Sequence, residues 1–202
     1  GNTAQVVCSG VAITPITYST TGATGVTVTG LPTGVTGVWS GNVVNISGTP
    51  NVPAGGTFNY TVTMTGGCTS GQATQTGTIT VNPNPTATAG PAMTAICQGG
   101  ISAALGGSVG GGATGGTWSD GGVGGTFSPN ATTLNATWTP PAAYIGTATL
   151  TLTSSGGSCG TAIATKPITV TPIHTITAGS NQTVCQNASI TPITMTLGGG
   201  AT

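Results

Sequence analysis

Charge is what this sequence most conspicuously lacks. Its 202 residues contain one basic side chain (Lys166), one acidic side chain (Asp120) and one histidine (His174), so charged residues make up 1%. Ordinary domains carry roughly a quarter. General acid–base catalysis needs titratable groups gathered within hydrogen-bond reach of a substrate. Three such groups at distant positions assemble no carboxylate pair, no triad and no two-metal site, so no enzyme, catalytic residue, cofactor or metal is expected. Nucleic-acid binding is excluded because one lysine cannot neutralise a run of phosphates. Calcium sites, built mainly from carboxylates, are excluded with it.

Long apolar runs are missing too. No stretch approaches the roughly 20 residues of a membrane-spanning helix, there is no polybasic segment to hold a lipid surface, and no signal peptide stands at the start. Membrane insertion is not expected, and the chain reads as an interior piece of a longer one. Aromatics reach only 4%. Disordered chains combine low hydrophobicity with high net charge; this one is 36% hydrophobic with zero net charge, and a folded protein is expected.

What is present is repetition. The opening Val6–Thr17 (VVCSGVAITPIT) returns near the end as Thr183–Thr194 (TVCQNASITPIT), and a middle copy reads TAICQGGISAAL over Thr94–Leu105. Cys8, Cys97 and Cys185 head the three copies, 89 and then 88 residues apart. That period suits an Ig-like sandwich. Expected modules cover 1–83, 84–172 and an incomplete third, 173–202, too short for its own core. Pro83, Pro85 and Pro172 mark short, stiff junctions.

Each complete module carries a second cysteine, Cys68 and Cys159, which follow Cys8 and Cys97 by 60 and 62 residues. The matched spacing predicts Cys8–Cys68 and Cys97–Cys159, each tying a module's first strand to its penultimate hairpin, with the partner of Cys185 beyond the fragment. Loops of that length would stabilise a module by roughly 3–4.5 kcal/mol in the chain-entropy picture, and disulfides place the protein outside a reducing cytosol. Five free buried thiols would leave the spacing unexplained. A zinc site lacks any CxxC or histidine cluster.

The strands themselves are legible as period-two alternation. Phe58, Tyr60, Val62 and Met64 share one face while Asn59, Thr61, Thr63 and Thr65 share the other. Ala148, Leu150 and Leu152 alternate with threonines in the same way, and Gly77–Pro83 and Lys166–Pro172 follow suit. Dense glycine and proline punctuation with no amphipathic helix predicts an all-β protein, a tandem, elongated array of antiparallel sandwiches. Only Pro140–Gly146 has room for a single helical turn.

Gly30–Gly67, with Leu31, Pro32 and Gly34, then Ile46 to Pro50, then Phe58 and Tyr60, resembles an Ig-like repeat family of bacterial surface proteins. Gly115–Ser154 is similar to the PKD-like repeats of giant Bacteroidota surface proteins, although it lacks the Ile-Ser-Gly-Thr-Pro segment. The resemblance implies a cell-surface adhesin, of the gliding-motility type, exported by the type IX system, with the repeats serving as stalk. It supplies no catalytic residues. The partners it implies are neighbouring repeats of the same chain; the uncharged surface adds homotypic self-association into filaments, because little repulsion keeps copies apart.

Other features read plainly. Gly110–Gly115 matches GxGxxG but lacks the flanking strand, helix and acid of a dinucleotide site, and is expected to be a flexible loop. Trp39, Trp118 and Trp138 are expected to pack in cores; were they exposed and coplanar, a surface polysaccharide would be the partner. Outward threonines such as Thr147, Thr149, Thr151 and Thr153 raise an ice-binding alternative, which requires the row in register on adjacent strands. Sheet twist argues against it. Lys166 and Asp120 are expected as exposed loop or edge charges, and His174 as a partnerless junction residue.

Overall fold

In a computed structural model, residues 2–66 and 73–198 are described. The strands are β1 (Ala4–Cys8), β2 (Ile16–Ser19), β3 (Gly25–Thr29), β4 (Val35–Ser40), β5 (Val43–Gly48), β6 (Gly56–Thr65), β7 (Thr74–Asn82), β8 (Thr86–Thr88), β9 (Ile96–Cys97) and β10 (Ser108–Gly110). They continue with β11 (Gly115–Ser119), β12 (Thr126–Ser128), β13 (Thr137–Thr139), β14 (Gly146–Ser155), β15 (Ile163–Thr171), β16 (Thr175–Thr177) and β17 (Thr196–Gly198). Among the described residues there is no helix; Pro140–Gly146 forms a turn closed by the Tyr144 N–H on the Pro141 carbonyl, 2.9 Å.

The first sandwich faces the sheet β1-β7-β6-β3 with the sheet β2-β5-β4. This is the Ig-like arrangement, in which hairpin-linked strands of one sheet alternate in sequence with those of the other. Its core is Ile16, Val35, Val44, Ile46, Tyr60, Val62, Ile79 and Val81, inward by alternation, with Ile13 added from the β1–β2 connection. The second sequence copy repeats the plan in the sheet β11-β14-β15-β9, with β12 against β13 and β8 against β10. Trp118, Trp138, Leu150, Leu152, Ile168 and Val170 are buried there.

The sandwiches are not wholly antiparallel. In each, the first strand of the larger sheet runs parallel to the last: β1 along β7, with Cys8 opposite Asn82, and β9 along β15, with Cys97 opposite Thr171. That one departure governs the disulfides, as described below.

The chain packs as two compact units that are not contiguous in sequence. The first comprises Gly1–Ala87, Val109–Gly116 and Thr153–Ile163; the second comprises Thr88–Ser108, Thr117–Leu152 and Ala164–Thr202. In the second unit, the third copy's opening contributes the antiparallel pair β16–β17 and no buried side chain among residues 173–198.

Gly110–Gly115 forms a hydrogen-bonded turn from the end of β10 to the start of β11. Ala113 donates to the Gly110 carbonyl at 3.1 Å, Gly111 has φ +62°, and Gly112 donates to the Asn84 carbonyl at 3.4 Å. A Cβ on Gly112 would stand 2.5 Å from the Pro83 carbonyl oxygen, so this segment lies against the Pro83–Asn84 backbone only because it lacks side chains.

Candidate functional site

Each copy heads its repeat with the same small device. After Cys8, Cys97 and Cys185 the chain turns, and the residue three positions on donates its N–H to the cysteine carbonyl. The pairs are Val11 to Cys8 at 3.0 Å, Gly100 to Cys97 at 2.8 Å and Ala188 to Cys185 at 3.0 Å. The third residue of each turn has positive φ: Gly10 at 84°, Gly99 at 77° and Asn187 at 67°. A type II turn demands that conformation, and only glycine or asparagine adopts it readily. In the first and third copies a glutamine clamps the loop that follows. Gln5 donates Nε2 to the Thr14 carbonyl at 2.7 Å and accepts the Thr14 N–H on Oε1 at 3.0 Å; Gln182 and Thr191 repeat the pair at 2.8 and 2.9 Å. The middle copy has Thr94 at that place and lacks the clamp. Sequence reasoning matched the copies but missed this clamp, although the recurring glutamine three residues before cysteine was visible.

Cys8 is bonded to Cys159, not to Cys68, and Cys97 is free and exposed; both expected pairings are corrected by this one bond. Cys68 lies outside the described residues, and Cys185 is a free, exposed thiol. The reason is the parallel first strand. Cys8 ends β1 beside Asn82, the last residue of β7, whereas the β6–β7 connection enters β7 at Thr74. Eight strand residues span roughly 27 Å, and a disulfide needs Cα atoms within about 7 Å. The same geometry separates Cys97, beside Thr171, from the connection that enters β15 at Ile163. A first-strand cysteine therefore sits at the far end of its own sandwich from its own hairpin.

Cys159 lies in the β14–β15 connection, and its Cα is 5.6 Å from that of Cys8 across a sequence separation of 151. Both cysteines belong to the first compact unit. Their surroundings are tightly specified. Ser9 donates to the Asn82 carbonyl at 3.0 Å, Asn84 donates Nδ2 to the Ser9 carbonyl at 3.0 Å, and Ser9 Oγ accepts the Val52 N–H at 3.0 Å. Thr114 donates to the Ser155 carbonyl at 3.0 Å, and a Cβ on Gly157 would lie 3.2 Å from the Gly112 carbonyl oxygen. Beside the cystine, Ser9, Gly10, Asn51, Pro53, Asn84 and Thr86 line an open concavity of about 290 Å³ with no charged or aromatic wall.

Lys166, Asp120 and His174 are kept apart, and two of them are structural. Lys166 is 3% exposed, not an edge charge: it shares the inward face of β15 with Ile168 and Val170, and Nζ donates to the Leu105 carbonyl at 2.6 Å. Burial lowers its pKa from the usual 10.5. Asp120 folds its own loop, accepting the N–H groups of Gly122 at 3.2 Å and Gly125 at 2.7 Å and the Trp138 indole N–H at 3.3 Å. His174 is exposed in the second unit. No cluster of three metal-ligating side chains occurs among the described residues.

Among the described residues no aromatic side chain is fully exposed. Trp118 and Trp138 are buried; Trp39 is half-buried, with its indole N–H on Thr20 Oγ1 at 3.0 Å. The remaining aromatics, three tyrosines and two phenylalanines, are buried or half-buried too. Threonine, by contrast, forms in-register rows on the outer face of the first sandwich. Thr27, Thr63 and Thr74 align across β3, β6 and β7, as do Thr29, Thr61 and Thr76, and Thr57 stands opposite Thr80.

No family model matches the chain, and no curated protein does. Solved structures of similar fold include a chimeric titin Z1Z2 tandem (18% identity, TM-score 0.35, covering 83% of this chain and 94% of that one). The insect immune protein hemolin is similar at 13% identity and a TM-score of 0.45, over 82% of this chain and 44% of that one. An endo-fucoidan hydrolase of glycoside hydrolase family 107 gives 15% identity and a TM-score of 0.34, over 84% of this chain and 27% of its own length.

Proposed function

We propose that the chain is a non-enzymatic run of extracellular structural repeats, the spacer or stalk of a surface adhesin or filament. The observation that carries this reading is the Cys8–Cys159 bond. It links residues separated by 151 positions in the sequence. A cystine of this reach belongs to an oxidising compartment and limits how far the chain can be drawn out. The repeats are read as modules 1–83 and 84–172 followed by the opening of a third at 173–202. Supporting the third, Ile190 and Ile193 match Ile13 and Ile16 in sequence and share the glutamine clamp. They stand 66% and 55% exposed where Ile13 and Ile16 are 4% and 0%. The partners are then neighbouring repeats of the same chain and, through a surface without repulsive charge, further copies. The reading extends the sequence resemblance to Bacteroidota gliding-type adhesins, and with it a cell-surface location reached by type IX export.

Three experiments bear on this reading and its rivals. Antibodies raised against the chain label intact cells, and the chain binds nothing on a glycan array; specific glycan binding contradicts the spacer reading and supports the polysaccharide one. The threonine rows aligned across β3, β6 and β7 are the one observation favouring an ice-binding face. Thermal hysteresis abolished by Thr61→Leu with Thr63→Leu would establish it. The spacer reading expects no hysteresis.

A further inference from the structure

Three cysteines open the same turn, two of them at the end of a parallel first strand, and one of the three is bonded. Cys97 ends its first strand beside the last residue of β15, as Cys8 does beside β7. Gln98 donates to the Thr171 carbonyl at 2.8 Å where Ser9 donates to Asn82 at 3.0 Å. The type II turn follows at each, and again at Cys185. What Cys8 binds is the hairpin cysteine of the next sequence copy, Cys159. Cys97 has no route to the hairpin of its own copy, for the reason of strand direction given above, and it is exposed.

We infer that these repeats are joined by a staggered cystine ladder. The turn cysteine of each copy bonds the hairpin cysteine of the copy that follows it, and Cys97 and Cys185 are turn cysteines awaiting theirs. The partner of Cys97 is accordingly a cysteine in the penultimate hairpin of a third copy, about as far downstream as the 151 residues that separate Cys8 from Cys159. Forming each rung joins two thiols as one S–S bond. The two protons and two electrons pass by thiol–disulfide exchange to an external disulfide oxidant, which is reduced to its dithiol. The inference depends on connectivity alone and stands whether the array carries load, ligand or ice.

The test is the full chain with a second copy of residues 84–172 inserted between Pro172 and Ile173, mapped by alkylation and non-reducing peptide mass spectrometry. The expected map holds Cys8–Cys159 unchanged and adds a bond from Cys97 to the inserted copy's counterpart of Cys159, with loss of alkylation at Cys97. Replacing that inserted counterpart with serine restores alkylation at Cys97. Retention of Cys8–Cys159 reports that the original repeats are intact. A counterpart that stays alkylatable, bonds the turn cysteine of its own copy, or links Cys97 to a second molecule overturns the ladder.

Discussion

Lys166 shows how a single residue in a nearly uncharged protein acquires a measurable role. Its phase on β15 places it inward with Ile168 and Val170, and that phase was readable in the alternation. What the sequence hid was the acceptor, the Leu105 carbonyl 61 positions earlier, which makes burial tolerable. Because burial lowers the native pKa below the unfolded value of 10.5, the unfolded chain binds more protons between those two values. Stability therefore rises with pH across that window and is flat below it. Tyr60 acts in the opposite sense. Burial and the hydrogen bond from or to Tyr18 hold its phenol above the usual 10.0, so stability is lost again as pH climbs past 10. As pH rises toward 10, urea midpoints should gain more in the wild type than in Lys166→Met; equal profiles would refute the buried-lysine account. Asp120 was expected as an exposed loop or edge charge; it lies in a loop but is half-buried, because the Trp138 indole N–H reaches it from a distant strand.

Among the elements, strand existence and facing were legible because period-two alternation and threonine's extended preference are local. Strand direction was not. Nothing within Ala4–Cys8 distinguishes a parallel edge strand from an antiparallel one, and the nearly equal 60- and 62-residue spacings suggested a pairing that direction forbids. One close approach within the first sandwich makes a sharp test of the β6–β7 pairing. Gly77 stands opposite Tyr60, and a Cβ there would overlap the Tyr60 hydroxyl and the Thr3 carbonyl. Tyr60 is fully buried, with its hydroxyl 2.8 Å from that of Tyr18. Gly77→Ala should destabilise the first unit by about 1–3 kcal/mol through overpacking. Tyr60→Leu removes the ring end, hydroxyl and Cζ alike, that an added Cβ would meet, so in denaturant titrations the double variant should lose less than the two single losses combined. Strict additivity would mean that the two residues do not meet.

At the scale of the whole molecule, the cystine sets what the protein can do mechanically. The sequence disclosed repeats and oxidation, but long-range pairing follows from how segments 153–163 and 1–87 share one compact unit, which no local pattern encodes. In the chain-entropy picture a loop of this size is worth roughly 5 kcal/mol against unfolding. Under load its effect is larger, because force applied at the termini bypasses everything between Cys8 and Cys159.

Pulling single molecules of the chain by their ends, with and without reductant, tests that claim most directly. The oxidised chain should withhold the 151-residue span, and reductant should release about 500 Å of additional length at roughly 3.3–3.6 Å per residue. Release in two steps of about 200 Å, the signature of loops closed within each repeat, or no change on reduction, would contradict the account.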